Sequence, residues 1–161
     1  MPIRVGIGYD SHRFVKGRRL FLGGVEIPYE YGLFGHSDAD VLIHAVCDAI
    51  LGALGKGDIG EHFPDTDPEY KDISSVILLE RVCRMAADDH FSVGNVDTVV
   101  LAQEPVLKPF KHQMGERLSG ILGVDMAAVN IKATTNEGMG FIGRREGIAC
   151  YATVSLISKD Q

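Results

Sequence analysis

The chain has 161 residues, of which 45% are hydrophobic and 24% charged, and its formal net charge at pH 7 is −6. This length fits one domain, which we place over residues 1–161, and the composition is that of a soluble globular protein. The acidic balance argues against a protein that coats nucleic acid. No apolar run approaches the roughly 18 residues of a membrane span. We therefore expect one domain that binds neither nucleic acid nor a membrane.

The cysteines and the first residues bear on where the protein works. Cys47, Cys83 and Cys150 are odd in number and far apart in the sequence, with no C-x-x-C pair. This pattern is typical of reduced core thiols rather than of metal ligands or disulfides. The opening stretch MPIRVGIGYD predicts a strand and not a signal or transit peptide. We expect a cytoplasmic protein.

The predicted elements alternate between strands and helices. A strand over residues 3–9 is followed by a hairpin over residues 18–28, in which a Gly-Gly pair forms the tight turn. Ser37 is the predicted N-cap of a helix over residues 38–54, and a long irregular loop covers residues 55–72. The remaining elements are a helix over 74–89, a turn over 92–95, a strand over 96–102, a helix over 110–122 that Gly123 stops, and strands over 129–135 and 148–158.

This order of elements indicates an α+β fold. Strands adjoin at both ends of the chain, which predicts a two-layer sandwich related to ferredoxin-like folds. Its helices would lie on one face of a four-stranded mixed sheet, with a small hairpin beside it. The opposite face of the sheet would then need cover, for example from another subunit.

A first candidate site combines the first strand with the first helix. Asp10 and His12 are spaced i, i+2, so their side chains point the same way, although a polar strand end facing water fits this pattern equally. His44 lies on the helix expected to pack on this strand. One carboxylate and two imidazoles with one open position are typical of catalytic zinc. Asp48 either accepts the free ring N–H of His44 or lies on a solvated helix face, where we also expect Asp40.

The segments that flank the first helix also carry candidate residues. His36 and Ser37 stand at its predicted N-terminus, where exposed backbone N–H groups favour an anion, although His36 could be a plain loop histidine. Asp58, Asp65 and Asp67 lie in the following loop. They are either turn-forming residues or, in the case of Asp58, a partner for sugar hydroxyls.

A second candidate site lies in the stretch KATTNEGMGFIGRREG. Thr135 and Glu137 share one side of an extended chain. Glu137 suits Mg²⁺ or Mn²⁺ held mainly by phosphates and water. The Thr135 hydroxyl can donate to a phosphoryl oxygen, and Arg144 and Arg145 favour phosphate. The alternative is a flexible glycine loop with an incidental glutamate.

Five segments together resemble the 2-C-methyl-D-erythritol 2,4-cyclodiphosphate synthase family, and the resemblance covers the whole chain. They are GYDSHRF, LGGVEIPYEYGLFGHSDADVLIHA, GDIGEHFPDTDPEYK, AQEP and KATTNEGMGFIGRREGIAC. The resemblance implies an enzyme of the non-mevalonate isoprenoid pathway, a phosphorus–oxygen lyase that acts on 4-diphosphocytidyl-2-C-methyl-D-erythritol 2-phosphate. The 2-phosphate attacks the β-phosphorus and expels CMP, which yields the cyclic diphosphate. It also implies a homotrimer with an active site at each subunit interface.

The resemblance further implies roles for individual residues. Asp10, His12 and His44 match zinc ligands, and Glu137 matches the ligand of a second divalent ion, Mg²⁺ or Mn²⁺, held between the substrate phosphates. The positions that stabilise the transition state are matched by His36 and Thr135. The residues that match substrate-contacting positions are Ser37, Asp58, Ile59, Gly60, Phe63, Pro64, Asp65, Thr66, Asp67, Ala102, Gln103, Pro105, Val106, Leu107, Lys108, Thr134, Asn136, Phe141 and Arg144. Of these, Asp58 and Gly60 match ribose contacts, and residues 102–108 match the cytidine pocket.

Three positions depart from the usual family pattern. Tyr9, Asn136 and Arg145 stand where Phe, Thr and Gly are frequent. In such trimers a cavity on the threefold axis can hold an isoprenoid diphosphate, and Tyr9, Arg144 and Glu146 bear on that cavity. We expect the phenol of Tyr9 to alter it.

Two alternative functions share the same candidate residues. One is a metal-dependent hydrolase of nucleotide diphosphates that uses water as the nucleophile. The other is a non-catalytic trimer that binds metal and nucleotide. Some relatives are fused to a cytidylyltransferase; because this chain begins at Met1 without a linker, we expect an enzyme that stands alone.

Overall fold

A five-stranded mixed sheet forms the centre of the fold in the computed structural model, which describes residues 2–160. The strands of this sheet and of a separate hairpin are, in chain order, β1 (Ile3–Lys16), β2 (Leu20–Leu22), β3 (Val25–Ile27), β4 (Tyr31–Leu33), β5 (Phe91–Leu101), β6 (Val129–Thr134) and β7 (Gly147–Ser158). The spatial order is β4-β1-β7-β5-β6, and β2 pairs with β3 in the hairpin. The β5–β6 pair is parallel and the other pairs are antiparallel.

The sheet differs from the prediction in its number of strands and in the length of β1. The expected four strands become five because β4, for which no strand was predicted, pairs with the end of β1 from Phe14↔Leu33 onward. Strand β1 does not end at residue 9. Asp10 and His12 continue the ladder with β7, opposite Cys150 and Ile148. The two candidate ligands therefore lie inside a strand and not at its end.

The predicted turn over residues 92–95 is also wrong. Strand β5 begins at Phe91, and its register with β7 shifts between Val93 and Asn95. A register shift of this kind is a β-bulge, which bends a strand without ending it. The polar and glycine residues of this stretch therefore mark an irregularity within the strand.

The helices pack on one face of the sheet. They are α1 (Val41–Leu54), α2 (Ile59–His62), α3 (Ser75–Asp88), α4 (Lys111–Leu122) and α5 (Gly140–Gly143), and short 3₁₀ turns cover Pro68–Tyr70, Lys108–Phe110 and Met126–Ala128. Helix α1 contacts β1 and β7, α3 contacts β5, and α4 contacts β6. The predicted bounds of α3 and α4 are confirmed to within one residue, and Gly123 caps α4 with a φ of 68°. The two-layer α+β arrangement is confirmed, while the loop after α1 contains a helical turn that was not predicted.

The start of α1 corrects two predictions. The N-cap is Asp40 and not Ser37, and its carboxylate accepts the N–H of Ile43 at 3.1 Å. The same carboxylate accepts the N–H groups of Gly23 and Gly24, in the turn between β2 and β3, at 2.9 and 2.7 Å. Asp40 is fully buried. It therefore anchors the hairpin to the helix and does not lie on a solvated face.

Glycines on β1 let helix α1 lie directly against the strand. A Cβ added at Gly8 would stand 1.8 Å from the carbonyl oxygen of Ala45, and one at Gly6 would stand 1.8 Å from that of Ala49. Any side chain here would push the helix away from the strand. Because His44 precedes Ala45 on α1, this close approach also brings His44 beside β1.

We expect Gly8→Ala to lower the free energy of unfolding by about 3 kcal/mol, because the new methyl group overlaps a helix carbonyl that cannot move alone. The midpoint of urea denaturation measures this loss. Gly120→Ala is the matched control, since a Cβ there meets no atom within 4 Å. As Gly120 lies inside α4, its replacement should raise stability by up to about 1 kcal/mol. A Gly8→Ala protein as stable as the wild type would contradict the packing described here.

The sheet face opposite the helices is apolar and exposed. Ile3, Val5 and Ile7 have 66, 66 and 69% of their surface accessible, although they are aliphatic. Tyr9 continues this row, and its ring lies 4.8 Å from that of Tyr151 on β7. The expectation that this face lacks cover within the chain is confirmed. A contiguous apolar patch of this kind is typical of an interaction surface.

Two further expectations concern the thiols and the membrane. Cys47 and Cys150 are buried, Cys83 is partly buried, and all three are free thiols. Burial raises the pKa of the Cys83 thiol to about 11, so it has little thiolate character. None of the helices within residues 2–160 has the length and apolar character needed to cross a bilayer.

Candidate active site

Asp10, His12 and His44 converge as the sequence predicted. The Oδ2 atom of Asp10 lies 2.8 Å from Nε2 of His12 and 3.1 Å from Nδ1 of His44, and these two nitrogens are 3.3 Å apart. Within residues 2–160, this is the one group of three or more His, Cys, Asp or Glu side chains whose ligand atoms all lie within 4.8 Å. The contact between β1 and α1 creates the group, because it joins residues 32 and 34 positions apart.

The outer nitrogens of the two imidazoles are held by other groups. Nδ1 of His12 lies 2.8 Å from the carbonyl oxygen of Phe34, which can only accept, so Nδ1 carries a hydrogen and Nε2 faces the group, where it can bind a proton shared with Asp10 or a metal ion. Nε2 of His44 lies 2.8 Å from the hydroxyl of Ser75. Of the two alternatives for Asp48, the bond to His44 is not formed: its carboxylate accepts the N–H of Ile59 at 2.7 Å. The sequence offered no signal for Ser75, which lies at the start of a different helix.

The electrostatics of the group favour a cation. Burial alone would raise the pKa of Asp10, but hydrogen bonds with His12 and His44 outweigh it and hold that pKa below its ordinary value. Burial alone would lower the pKa of His12, but the hydrogen bond to Asp10 and its negative charge raise it above the ordinary value. The group thus stabilises positive charge between its members. One carboxylate oxygen and two imidazole nitrogens are also a donor set that suits Zn²⁺.

A pocket of about 680 Å³ opens beside this group. The candidate substrate-contacting and catalytic residues that line it are His36, Ser37, Ile59, Gly60, Phe63, Pro64, Asp65 and Thr66. Phe34 and Tyr70 line it as well, and the sequence analysis missed both. Tyr70 packs edge-on against Phe63 at 5.5 Å between ring centroids, which explains its place in the pocket. No local sequence pattern predicts this contact.

Two predicted aspartates of this region act on the backbone and do not line the pocket. Asp58 is the N-cap of α2 and accepts the N–H of Glu61 at 3.0 Å. The carboxylate of Asp67 accepts the N–H of Glu69 at 2.9 Å, and its carbonyl oxygen lies 2.9 Å from Nε2 of His36. Both carboxylates therefore form turns within this chain, and Asp67 also fixes the ring of His36; a contact of Asp58 with sugar hydroxyls stays a prediction.

The structure does not support the prediction that N–H groups at a helix N-terminus bind an anion near His36 and Ser37. Helix α1 begins at Val41, and the carboxylate of Asp40 already takes an N–H group of its first turn. Ser37 contributes through its hydroxyl instead, which accepts the N–H of Ala39 at 3.2 Å and lies 3.1 Å from Nε2 of His44. Its place in the pocket is due to the loop and not to a helix dipole.

The second candidate site forms a separate unit, which we call the loop pair: residues 102–108 and 134–140. The hydroxyl of Thr135 accepts the N–H of Glu137 at 3.2 Å and lies 3.4 Å from its carboxylate, so the two side chains share one side as predicted. The side chain of Gln103 accepts the N–H of Gly138 at 3.2 Å, which ties the two loops together. None of these residues lines the 680 Å³ pocket.

The remaining candidates lie near the loop pair. Arg144 forms an ion pair with Glu146 at 3.2 Å, and both side chains are exposed. Phe141 lines a second pocket, of about 620 Å³, which also includes His12 and Arg145. Phe141 therefore shares a pocket with the candidate metal ligand His12, whereas the loop pair lies apart from the 680 Å³ pocket within one chain.

Comparison with known proteins identifies the family of this chain. Residues 3–157 match the model of the YgbB family. The chain belongs to the YgbB family. The resemblance inferred from the sequence motifs is thereby confirmed.

Named YgbB-family relatives and solved structures resemble almost the whole chain. The 2-C-methyl-D-erythritol 2,4-cyclodiphosphate synthase of Alkaliphilus metalliredigens (strain QYMF) is 56% identical over 154 residues, which cover 96% of this chain and 97% of that protein. The IspF protein of Plasmodium falciparum, solved in complex with CDP, has a TM-score of 0.86 and 35% identity, covering 98% and 97% of the two chains. The bifunctional IspDF of Campylobacter jejuni has a TM-score of 0.94 and 44% identity. The match covers 99% of this chain and 44% of IspDF, so this chain spans less than half of that protein.

Proposed function

We propose that this chain converts 4-diphosphocytidyl-2-C-methyl-D-erythritol 2-phosphate into 2-C-methyl-D-erythritol 2,4-cyclodiphosphate with release of CMP. This is a phosphorus–oxygen lyase reaction in the synthesis of isoprenoid precursors. Full-length similarity to enzymes of this name supports the proposal. The structural observation that carries it is the Asp10, His12 and His44 group beside a pocket lined by His36 and Ser37.

The chemistry asks for positioning and charge more than for an acid or a base. An oxygen of the 2-phosphate forms a bond to the β-phosphorus, the bond from that phosphorus to the bridging oxygen breaks, and CMP leaves with its electron pair. The nucleophile is already an anion, so repulsion between phosphates is the main obstacle. Hydrogen-bond donors at fixed positions and positive charge held beside the phosphates lower this barrier.

Asp10, His12 and His44 fit Zn²⁺, and we propose that they hold it. Bound there, the ion would supply Lewis-acid stabilisation of phosphate oxygens. Glu137 is the proposed ligand of a second ion, Mg²⁺ or Mn²⁺, that substrate phosphates and water would also ligate; its exposed carboxylate supports this role. Metal analysis of the purified protein should find about one zinc per chain.

His36 and Thr135 are the proposed transition-state-stabilising residues. The carbonyl of Asp67 accepts a hydrogen bond from Nε2 of His36 at 2.9 Å, so this ring is held in one orientation at the pocket. The hydroxyl of Thr135 lies beside Glu137 at 3.4 Å, where it can donate to a phosphoryl oxygen. The loop 102–108 is the proposed cytidine pocket, with Asp58 and Gly60 as ribose contacts.

We also propose a homotrimer whose active sites lie between subunits. Two observations support it: the exposed apolar face of the sheet, and the division of the candidate residues between the metal-site pocket and the loop pair. A neighbouring subunit would cover the exposed sheet face and would place its loop pair beside the metal-site pocket. Native mass spectrometry should give a particle close to three times 17.5 kDa. We further propose that an isoprenoid diphosphate can bind in a cavity on the threefold axis, and that the Tyr9–Tyr151 pair narrows this cavity.

Product analysis tests the reaction itself. Incubation with the substrate should give CMP and a cyclic diphosphate, identified by ³¹P NMR and mass spectrometry. Linear products that incorporate ¹⁸O from labelled water would overturn the cyclisation in favour of a hydrolase. Binding of CDP without any turnover would favour the non-catalytic alternative.

The free thiols support our proposal that the reaction takes place in the cytoplasm, which is a reducing compartment.

A further inference from the structure

We infer that Asp38 and Ser75 are positioning residues that fix the ring tautomer of His44 and so keep its Nδ1 lone pair available to a metal ion. The inference rests on the proposed role of His44 as a metal ligand. It concerns residues outside the metal-ligand, catalytic and substrate-contacting sets described above. What carries it is a chain of hydrogen bonds that runs from the buried end of the His44 ring to a carboxylate.

Ser75 links the ring to Asp38. Its side chain is fully buried, and its Oγ lies 2.8 Å from Nε2 of His44. The hydroxyl donates to Oδ1 of Asp38, while the backbone N–H of Ser75 donates to Oδ2 at 3.0 Å. A carboxylate only accepts, so the hydroxyl hydrogen of Ser75 is committed to Asp38. The Ser75 oxygen can then only accept from His44, which requires the hydrogen of the neutral ring to be on Nε2.

The opposite tautomer has a strong competitor for its hydrogen. Nδ1 of His44 lies 3.1 Å from Oδ2 of Asp10, so a hydrogen on Nδ1 would make a good bond to that carboxylate. This bond would occupy both the lone pair of His44 and an oxygen of Asp10, which are two of the three proposed ligand atoms. Without an opposing bond at Nε2, the metal-free site would therefore hold a hydrogen where the ion must bind.

Ser37 cannot supply that opposing bond. Its hydroxyl is 3.1 Å from Nε2 of His44 and accepts the N–H of Ala39, but its own hydrogen is not committed to a carboxylate. It can therefore donate to Nε2 in one tautomer and accept from Nε2 in the other. The pairing with Asp38 is what distinguishes Ser75 from Ser37. The Asp38–Ser75 pair alone selects the tautomer that leaves Nδ1 free.

Ser75→Ala tests this relay, because it removes the oxygen that selects the Nε2–H form and leaves Nε2 of His44 only Ser37, which can donate or accept. Titration with Zn²⁺ against a chromogenic chelator should show an affinity lower than wild type by about 10- to 100-fold. In metal-free full-length protein with ¹⁵N-labelled histidine, the ring of His44 should shift from the Nε2–H form toward the Nδ1–H form. Asp38→Asn should shift both measurements in the same direction but less, because an amide oxygen in the place of Oδ1 can still accept from Ser75 and from the N–H of Asp40, which lies 3.1 Å from Oδ1.

Asp48→Asn is the matched control. This aspartate lies in α1 and, like Asp38, accepts a backbone N–H, that of Ile59, but it makes no hydrogen bond with His44. Its zinc affinity and its tautomer should equal those of the wild type. An equal loss in Asp48→Asn and Ser75→Ala would overturn the relay in favour of a general effect of changes around His44.

Two outcomes separate this inference from the proposed function. A wild-type protein that binds no zinc overturns the proposed metal role, yet the tautomer measurement in metal-free protein still decides the relay. A Ser75→Ala protein that keeps both the Nε2–H form and the wild-type zinc affinity overturns the relay and leaves the proposed reaction intact. Thermal melts identify a variant that has lost its fold, and Asp38→Asn is the milder of the two changes because it keeps the size of the side chain.

Discussion

Replacing His44 by alanine is expected to reduce kcat/KM by about 1000-fold or more, equivalent to roughly 4 kcal/mol of transition-state stabilisation. His44 is buried on α1, and its ring completes the group with Asp10 and His12. The methyl group of alanine leaves two ligands, and no other His, Cys, Asp or Glu among residues 2–160 belongs to the group. Release of CMP measures the loss of activity, and metal analysis should show loss of zinc from the same preparation.

His112→Ala is the control for this variant. His112 lies on α4 with 76% of its side chain exposed, and it pairs with Glu116 at 3.3 Å. It is the same residue type far from the pocket, so its replacement should leave turnover and zinc content unchanged. A His44→Ala protein with wild-type turnover would overturn the role of this group in catalysis.

The candidate metal site was predictable because its parts are close in chain order. Strand β1 and helix α1 are the first two long elements, and consecutive elements usually pack together. The spacing of Asp10 and His12 on a strand then gives the direction of both side chains. The end of β1 was not predictable, because the ladder with β7 joins residues about 140 positions apart and continues through polar residues.

The surroundings of α1 show where local patterns stop being informative. The helical spacing of Asp40, His44 and Asp48 indicated a shared polar face, which the sequence analysis assigned to solvent or to metal support. The turn between β2 and β3 covers Asp40, and Ser75 at the start of α3 takes the place expected for Asp48. These partners come from distant parts of the chain. A helical pattern identifies which residues share a face but not which element will cover it.

Mixing His44→Ala subunits with Glu137→Gln subunits should restore about a quarter of wild-type activity, although each variant alone is nearly inactive. In the proposed trimer, each active site takes the metal-site pocket from one subunit and the loop pair from its neighbour. A site is complete when its metal-site pocket comes from a Glu137→Gln subunit, which keeps His44, and its loop pair comes from a His44→Ala subunit, which keeps Glu137. With random equal mixing each condition holds for half of the positions, so about one site in four is intact. Unfolding and refolding the two variants together forms the mixed trimers, and CMP release measures the recovery.

The geometry within one chain makes this experiment decisive. Glu137 does not line the pocket of His44, and its nearest described partners belong to the loop pair. If both residues nevertheless served the same site of one subunit, every chain in the mixture would carry one defect and activity would stay at the level of the single variants. Each variant refolded alone sets that level, and refolded wild type sets the upper limit. Recovery near one quarter would show that neighbouring subunits share each active site, with the metal-site pocket from one subunit and the loop pair from the other.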